Sequence, residues 1–244
     1  MPLSPPAFDL LAWDSDLFGF PVARLRSQAL RADALPGAVG ALRDEGVRLV
    51  YAVTAWDEEE ARRAIEQAGG LLVDRKVRYR KRIAGAMVFP AQVAAWAGSE
   101  CTEELESLAL ECGHLSRFRI DPRVPPHVYP ALYRAWIRRS VRGEIASVVL
   151  VSRDAEALTG LITLDIDETT AEVGLMAVRG THRRRGIGAH LMQAAEAWAH
   201  GRGAETLEVV TQGANTGACA LYEVSGSRVA REEAIYHLWL EPAR

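Results

Sequence analysis

The sequence predicts an α/β (α+β) protein of two units, and three observations carry the prediction. Over the first third of the chain, strand-like and helix-like segments alternate. From Ala146 to Val178, three β-branched segments follow one another with only short turns between them. Later, the basic glycine loop Arg183-Arg184-Arg185-Gly186-Ile187-Gly188 stands between an apolar run and an amphipathic segment.

The first unit, residues 1–83, opens with a strand over Phe20–Leu25, a helix near Leu35–Glu45 and a strand over Leu49–Thr54. A helix over Glu58–Ala68 follows, with Ala61, Ile65 and Ala68 on one face. In Leu71–Arg82, Val77, Tyr79 and Lys81 alternate with Lys76, Arg78 and Arg80 as in a strand. Arg75, Lys76, Arg78, Arg80, Lys81 and Arg82 form the densest positive run. They blunt a sheet edge, the preferred reading, or attract a dinucleotide phosphate. Residues 84–98, with Gly85, Pro90 and several alanines, lack periodicity and read as a linker.

The second unit covers residues 99–244. Leu105, Leu108, Ala109 and Cys112 mark one helix, and Tyr129, Leu132, Tyr133, Trp136, Ile137 and Ser140 mark another with a wide apolar face. The polar loop Gly113–Pro122 joins them. Strands over Ala146–Ser152, Leu158–Ile166 and Glu172–Val178, joined at Arg153-Asp154 and Asp167-Glu168, form an antiparallel meander. After the basic loop comes a helix over Ile187–His200, with Ile187, Leu191, Ala194, Ala195 and Trp198 facing inward. A strand over Thr206–Val210, a helix from about Asn215, and two strands, Ser227–Arg231 and Ala234–Leu240, complete the order.

The chain has 244 residues, 49% hydrophobic and 25% charged, with a net charge of -3, which argues against nucleic acid as the main partner. No apolar run approaches the ~20 residues of a membrane span, and the first residues lack the basic and apolar regions of a signal peptide. The expectation is a cytoplasmic protein without a membrane partner. Cys101, Cys112 and Cys219 lack metal-ligand spacing and are expected to stay thiols. Asp14 and Asp16 alone do not make a metal site, so no metal is expected.

Glycines 186 and 188 let backbone approach a ligand, and the first turn of the next helix offers N–H groups at the positive end of its dipole. The basic loop therefore reads as a phosphate cradle; the alternative is a plain solvated loop. With Arg183-x-x-Gly186-x-Gly188 between strand and helix, and Asn215-x-x-Ala218-x-x-Leu221-Tyr222-x-x-x-Gly226 after the next strand, the chain resembles the GCN5-related N-acetyltransferase (GNAT) superfamily. Ser227 stands where that signature ends in Phe. More narrowly, Leu11–Gly19, Ser116-Arg117-Phe118-Arg119, Tyr133-x-x-Trp136-Ile137 and Val141-Arg142-Gly143 resemble the dTDP-fucosamine N-acetyltransferases.

The resemblance implies a mixed, mostly antiparallel sheet flanked by helices, an N-terminal unit like a truncated GNAT domain, and acetyl-CoA as donor. Backbone N–H groups of Arg184, Arg185, Gly186, Ile187 and Gly188 would take the coenzyme pyrophosphate, with the side chains of Arg183 and Arg184 meeting outer phosphates. Met176, Ala177 and Val178 would pair with pantetheine, and Met176 would face the thioester carbonyl. Tyr222 matches the tyrosine that protonates the leaving thiolate; otherwise it is a core tyrosine. Asn215 caps its helix or touches the coenzyme. His114, Ser116, Arg117 and Arg119 bind the acceptor or merely line a helix-joining turn. The base stays open among His114, Asp165, Glu172, His237 and water. The implied partner is a small amine, and the preferred reading is a nucleotide-linked amino sugar such as dTDP-4-amino-4,6-dideoxygalactose. Another amine (an aminoglycoside, an amino acid or a protein N-terminus) and a non-catalytic acetyl-CoA-binding module are the alternatives. Oligomeric state is left open, a homodimer among the options.

Overall fold

The structure, a computed structural model, describes residues 7–85, 88–155 and 157–241. Its elements run β1 (Phe8–Leu10), α1 (Ala12–Phe18), β2 (Val22–Leu25), α2 (Leu35–Asp44), β3 (Leu49–Ala55), α3 (Glu59–Gln67), β4 (Leu71–Arg82) and β5 (Val93–Ala95). Then come α4 (Glu103–Cys112), α5 (Arg117–Ile120), α6 (Val128–Val141), β6 (Val148–Asp154), β7 (Ala157–Asp167) and β8 (Thr170–Val178). The order ends with α7 (Ile187–His200), β9 (Thr206–Gln212), α8 (Thr216–Val224) and β10 (Arg228–Trp239). Contacts group the chain into two units. One holds Met1–Lys76, Ile120–Val128 and Arg231–Arg244, the other Val77–Arg119 and Tyr129–Ala230.

In the first unit β1 pairs antiparallel with β2, β2 parallel with β3, and β3 antiparallel with β10, where Ala55 faces Glu233 and Leu49 faces Trp239. Leu35, Ala38, Val39 and Leu42 sit three or four residues apart, so α2 buries one stripe against this sheet. The two strands expected at the C-terminal end are one continuous strand. Glu232 and Glu233, which lie between the two expected strands, stay extended, and Glu232 meets Arg75 at 2.6 Å while Glu233 meets Lys76 at 3.4 Å and Arg231 at 2.9 Å. The segment expected as a linker contains β5, which pairs antiparallel with β6 in the second unit.

The second unit has a mixed sheet in which β5, β6, β7 and β8 are antiparallel and β8 and β9 parallel. Helix α4 packs on β7 and β8, and α7 packs on β6, β7 and β8. Gly160 lets α7 come close to β7: a Cβ there would stand 2.9 Å from Leu191 Cδ1 and 3.1 Å from Ile187 Cγ2. The loop expected between α4 and α6 contains the short helix α5. The basic run carries matched charges instead of bare edge guards. Besides Arg75 and Lys76, Arg78 reaches Glu208 at 2.5 Å and Glu172 at 3.2 Å, Arg80 reaches Glu208 at 2.5 Å, and Lys81 reaches Glu196 at 2.7 Å. The three cysteines are free thiols. No described helix is long and apolar enough to cross a membrane.

Asp121 organises a buried polar cluster in the first unit. Its carboxylate accepts from His237 Nδ1 at 2.7 Å, Trp239 Nε1 at 2.9 Å and the Arg123 amide at 3.0 Å. Burial alone would raise the Asp121 pKa, but the hydrogen bonds from His237 and Trp239 outweigh it and hold the carboxyl at about 2. That is below the unfolded value of about 3.9, so the resulting stability is present above about pH 4 and is lost as pH falls through 2. The stabilisation is about 2 kcal/mol. Urea unfolding followed downward from about pH 5 should show this loss, and Asp121→Asn should remove that share of the pH dependence.

Candidate active site

In the second unit, strand β8 parts from β9 halfway along. The parallel ladder runs only from Thr170–Thr206 to Val173–Val209, while β8 continues to Val178. A bulge opens at the same place. Ile162 faces Met176 and Leu164 faces Val173, so two residues of β8, Gly174 and Leu175, stand against the single Thr163 of β7. The Leu175 amide displaced from the regular ladder donates to Thr163 Oγ1 at 2.8 Å. Gly174 is required there, since a Cβ would lie 2.9 Å from that same oxygen.

The divergence borders a cleft of about 570 Å3. Met176, Ala177 and Val178 line it from β8, Arg183, Arg184 and Gly186 from the basic loop, and Ile187, Gly188 and Ala189 from the first turn of α7. Asn215, Gly217, Ala218, Ala220, Leu221, Tyr222 and Val224 line it from α8 and its cap, and His114 joins them. Sequence reading did not name Ala189, Gly217, Ala218, Ala220, Leu221 and Val224 as site residues. Along α8, Gly217, Ala220, Leu221 and Val224 recur at helical spacing, the signal that they share a face.

Two consecutive features shape the loop. Arg184 has φ 64° and Gly186 φ 81°, both left-handed. A non-glycine residue held there costs on the order of 1–3 kcal/mol, and such strain persists where surrounding structure enforces it. Among the described residues, no side chain caps the N-terminus of α7 at Gly186. A Cβ on Gly188 would stand 3.0 Å from Leu221 Cδ2, so glycine lets α7 and α8 approach each other. Arg183 lines the cleft while its Nε donates to the Val178 carbonyl at 3.1 Å and its guanidinium lies 3.5 Å from Glu111, which also accepts from the Gly180 amide at 2.7 Å. Arg185 is exposed and does not line the cleft.

Tyr222 is 4% exposed, yet it borders the cleft. Its hydroxyl donates to Met176 Sδ at 3.9 Å, and its ring lies 5.6 Å from that of Tyr79. Burial pushes the phenol well above its ordinary pKa, and Cys112 and Cys219 add to the rise, so the proton stays on oxygen. Asn215 accepts from the Ala218 amide at 3.3 Å and so caps α8 while also lining the cleft.

The polar loop between α4 and α6 divides. His114 lines the cleft with Nδ1 3.2 Å from the Glu111 carbonyl oxygen. Ser116 is buried within its turn and accepts from the Phe118 amide at 3.4 Å. Arg117 lies over the Phe118 ring at 4.4 Å and Arg119 lies 5.6 Å from the Tyr129 ring, and neither lines the cleft. Of the base candidates, Asp165 accepts from Ser147 at 2.6 Å and Glu172 pairs with Arg78. His237 is buried beside Asp121 in the first unit, which leaves His114 as the one that lines the cleft.

Residues 103–226 match the Acetyltransferase (GNAT) family. The chain is 32% identical over 240 residues to the dTDP-fucosamine acetyltransferase of Escherichia coli O6:H1 (strain CFT073), a likeness spanning 94% of this chain and 96% of that one. Among solved structures, a GCN5-related N-acetyltransferase from Sphaerobacter thermophilus superposes with a TM-score of 0.65 at 17% identity, covering 97% of this chain and 77% of that one. A tandem GNAT protein from the clavulanic acid biosynthesis pathway does so with 0.58 at 14%, covering 99% and 86%. At those identities the likeness is one of fold. The chain belongs to the GNAT family, and it is an N-acetyltransferase whose acetyl donor is acetyl-CoA.

Proposed function

We propose that this enzyme acetylates the amine of a nucleotide-linked amino sugar, with dTDP-4-amino-4,6-dideoxygalactose as the first acceptor to try. The observation that carries the reading is the 32% identity to a dTDP-fucosamine acetyltransferase across nearly the full length of both chains. The first unit is read as a truncated GNAT-like domain, supported by the fold likeness to a tandem GNAT protein.

The residues present fit the donor. Backbone N–H groups from Arg184 to Gly188 bind the pyrophosphate, favoured by the left-handed turn at Gly186 and the uncapped positive end of α7. Arg184 supplies a guanidinium at the cleft, while Arg183 holds the loop to β8. The backbone of Met176, Ala177 and Val178, beyond the end of the β8–β9 ladder, takes the pantetheine arm. The Met176 amide stabilises the oxyanion. Coenzyme A supplies the acetyl group as a thioester with a thiolate leaving group. Tyr222 holds its proton at Oη and donates it toward the departing sulfur. His114, which lines the cleft, takes the first proton of the acceptor's ammonium, directly or through water, and so frees the lone pair for attack. Because burial makes the phenol a reluctant acid, Tyr222 must regain a proton as it gives one, and it takes it from the nitrogen that has just bonded to the acetyl carbon.

Thiol release from acetyl-CoA should be fastest with dTDP-4-amino-4,6-dideoxygalactose among a panel of aminoglycosides, amino acids and peptide N-termini. Turnover with another class and not with this one would refute the acceptor. Tyr222→Phe should lower kcat by about a hundredfold with acetyl-CoA affinity kept, measured by stopped assay and calorimetry. Gly186→Val forces a β-branched residue into left-handed backbone, and calorimetry should show acetyl-CoA binding weakened by about tenfold or more.

A further inference from the structure

Tyr79 and Lys81, on the part of β4 within the second unit, reach α8, the helix that carries Tyr222. Lys81 Nζ donates to both oxygens of Glu196 on α7 at 2.7 Å and to the Ser225 carbonyl at 2.6 Å. Ser225 is the C-cap of α8, where carbonyls have no partner inside the helix and the dipole favours a cation. Beside it, Tyr79 donates to Glu223 Oε1 at 3.0 Å and packs its ring against Tyr222. Gly226, at φ 87°, turns the chain in the left-handed region beside the lysine stem, its Cβ position in ordinary contact with Lys81 Cε at 3.6 Å.

We propose that Lys81 is a positioning residue for Tyr222. Its ammonium ties the C-terminal end of α8 to α7, and so fixes the phenol relative to the glycine cradle at the start of α7. Glu196 is only 4% exposed, and a buried ion pair contributes little net stability over apolar groups of similar volume. Its benefit here is geometric. From β4, the lysine hydrogen-bonds both to α7 and to the C-terminal end of α8, the two helices that line the cleft. This inference rests on the reading of Tyr222 as proton donor.

Lys81→Met alone strands the Glu196 carboxylate and can unfold the protein. The decisive variant is Lys81→Met with Glu196→Leu, which replaces the pair by apolar groups and leaves the Ser225 carbonyl without its donor. Its thermal midpoint and acetyl-CoA affinity should stay near wild type, while kcat falls roughly ten- to a hundredfold. Adding Tyr222→Phe should then lower kcat no further than Tyr222→Phe does alone. Wild-type kcat in the folded variant, or a loss that multiplies with that of Tyr222→Phe, overturns the proposal. Full turnover in Tyr222→Phe by itself overturns the proton-donor reading and this inference with it, a result separate from the first. Should the double variant not fold, Lys81→Arg keeps the charge opposite Glu196 and changes the reach of its head group. It should lower kcat without adding to Tyr222→Phe, and the same two results would overturn the proposal.

Discussion

Backbone groups that leave a ladder must find other partners, and in the second unit the β8–β9 ladder stops at Val173. The rest of the site depends on that stop. Thr163 takes the Leu175 amide at the bulge, and the following residues of β8, Met176 to Val178, line a cleft. The chain then enters the left-handed turn at Arg184 and Gly186, which opens α7 onto the same space. When β9 ends it feeds α8, whose small residues form the cleft's other helical lining. Cleft, cradle and tyrosine are thus successive consequences of two strands ceasing to pair.

The cleft proposed here as the coenzyme site asks little of most side chains that line it. Gly174, Gly186 and Gly188 serve space or conformation, and Asn215 caps α8. Neighbouring residues can vary as long as the strand, turn and helix persist. This is consistent with a shared fold among proteins only 14–17% identical to the chain.

Much of this was legible in the sequence. The β-branched meander and the amphipathic stripe of α7 are local patterns, and both appear where the residues place them. The misreadings have a common cause, which is partners distant in sequence. Alternating charges in β4 look the same whether they face water or carboxylates on other elements; only tertiary placement brings Glu196, Glu208 and Ser225 to them. Glu232-Glu233 reads as a break between two strands until Arg75 and Lys76 stand opposite. β5 has three residues, too few for periodicity to register. The bulge depends on the register between two strands, and Arg183 on a glutamate some seventy residues earlier.

The pairing of β3 with β10 bears on how the first unit is made. Strand β3 carries the buried residues Leu49, Val50, Tyr51 and Ala52, and its antiparallel partner is the last strand of the chain. During synthesis the second unit's segments emerge between the two. The first unit therefore cannot close its sheet until translation has passed β10, and its apolar strand waits with one edge unpaired. Such long-range closure is intrinsically slow, so the open edge of β3 stays available to other strands for longer than in a sequentially built domain.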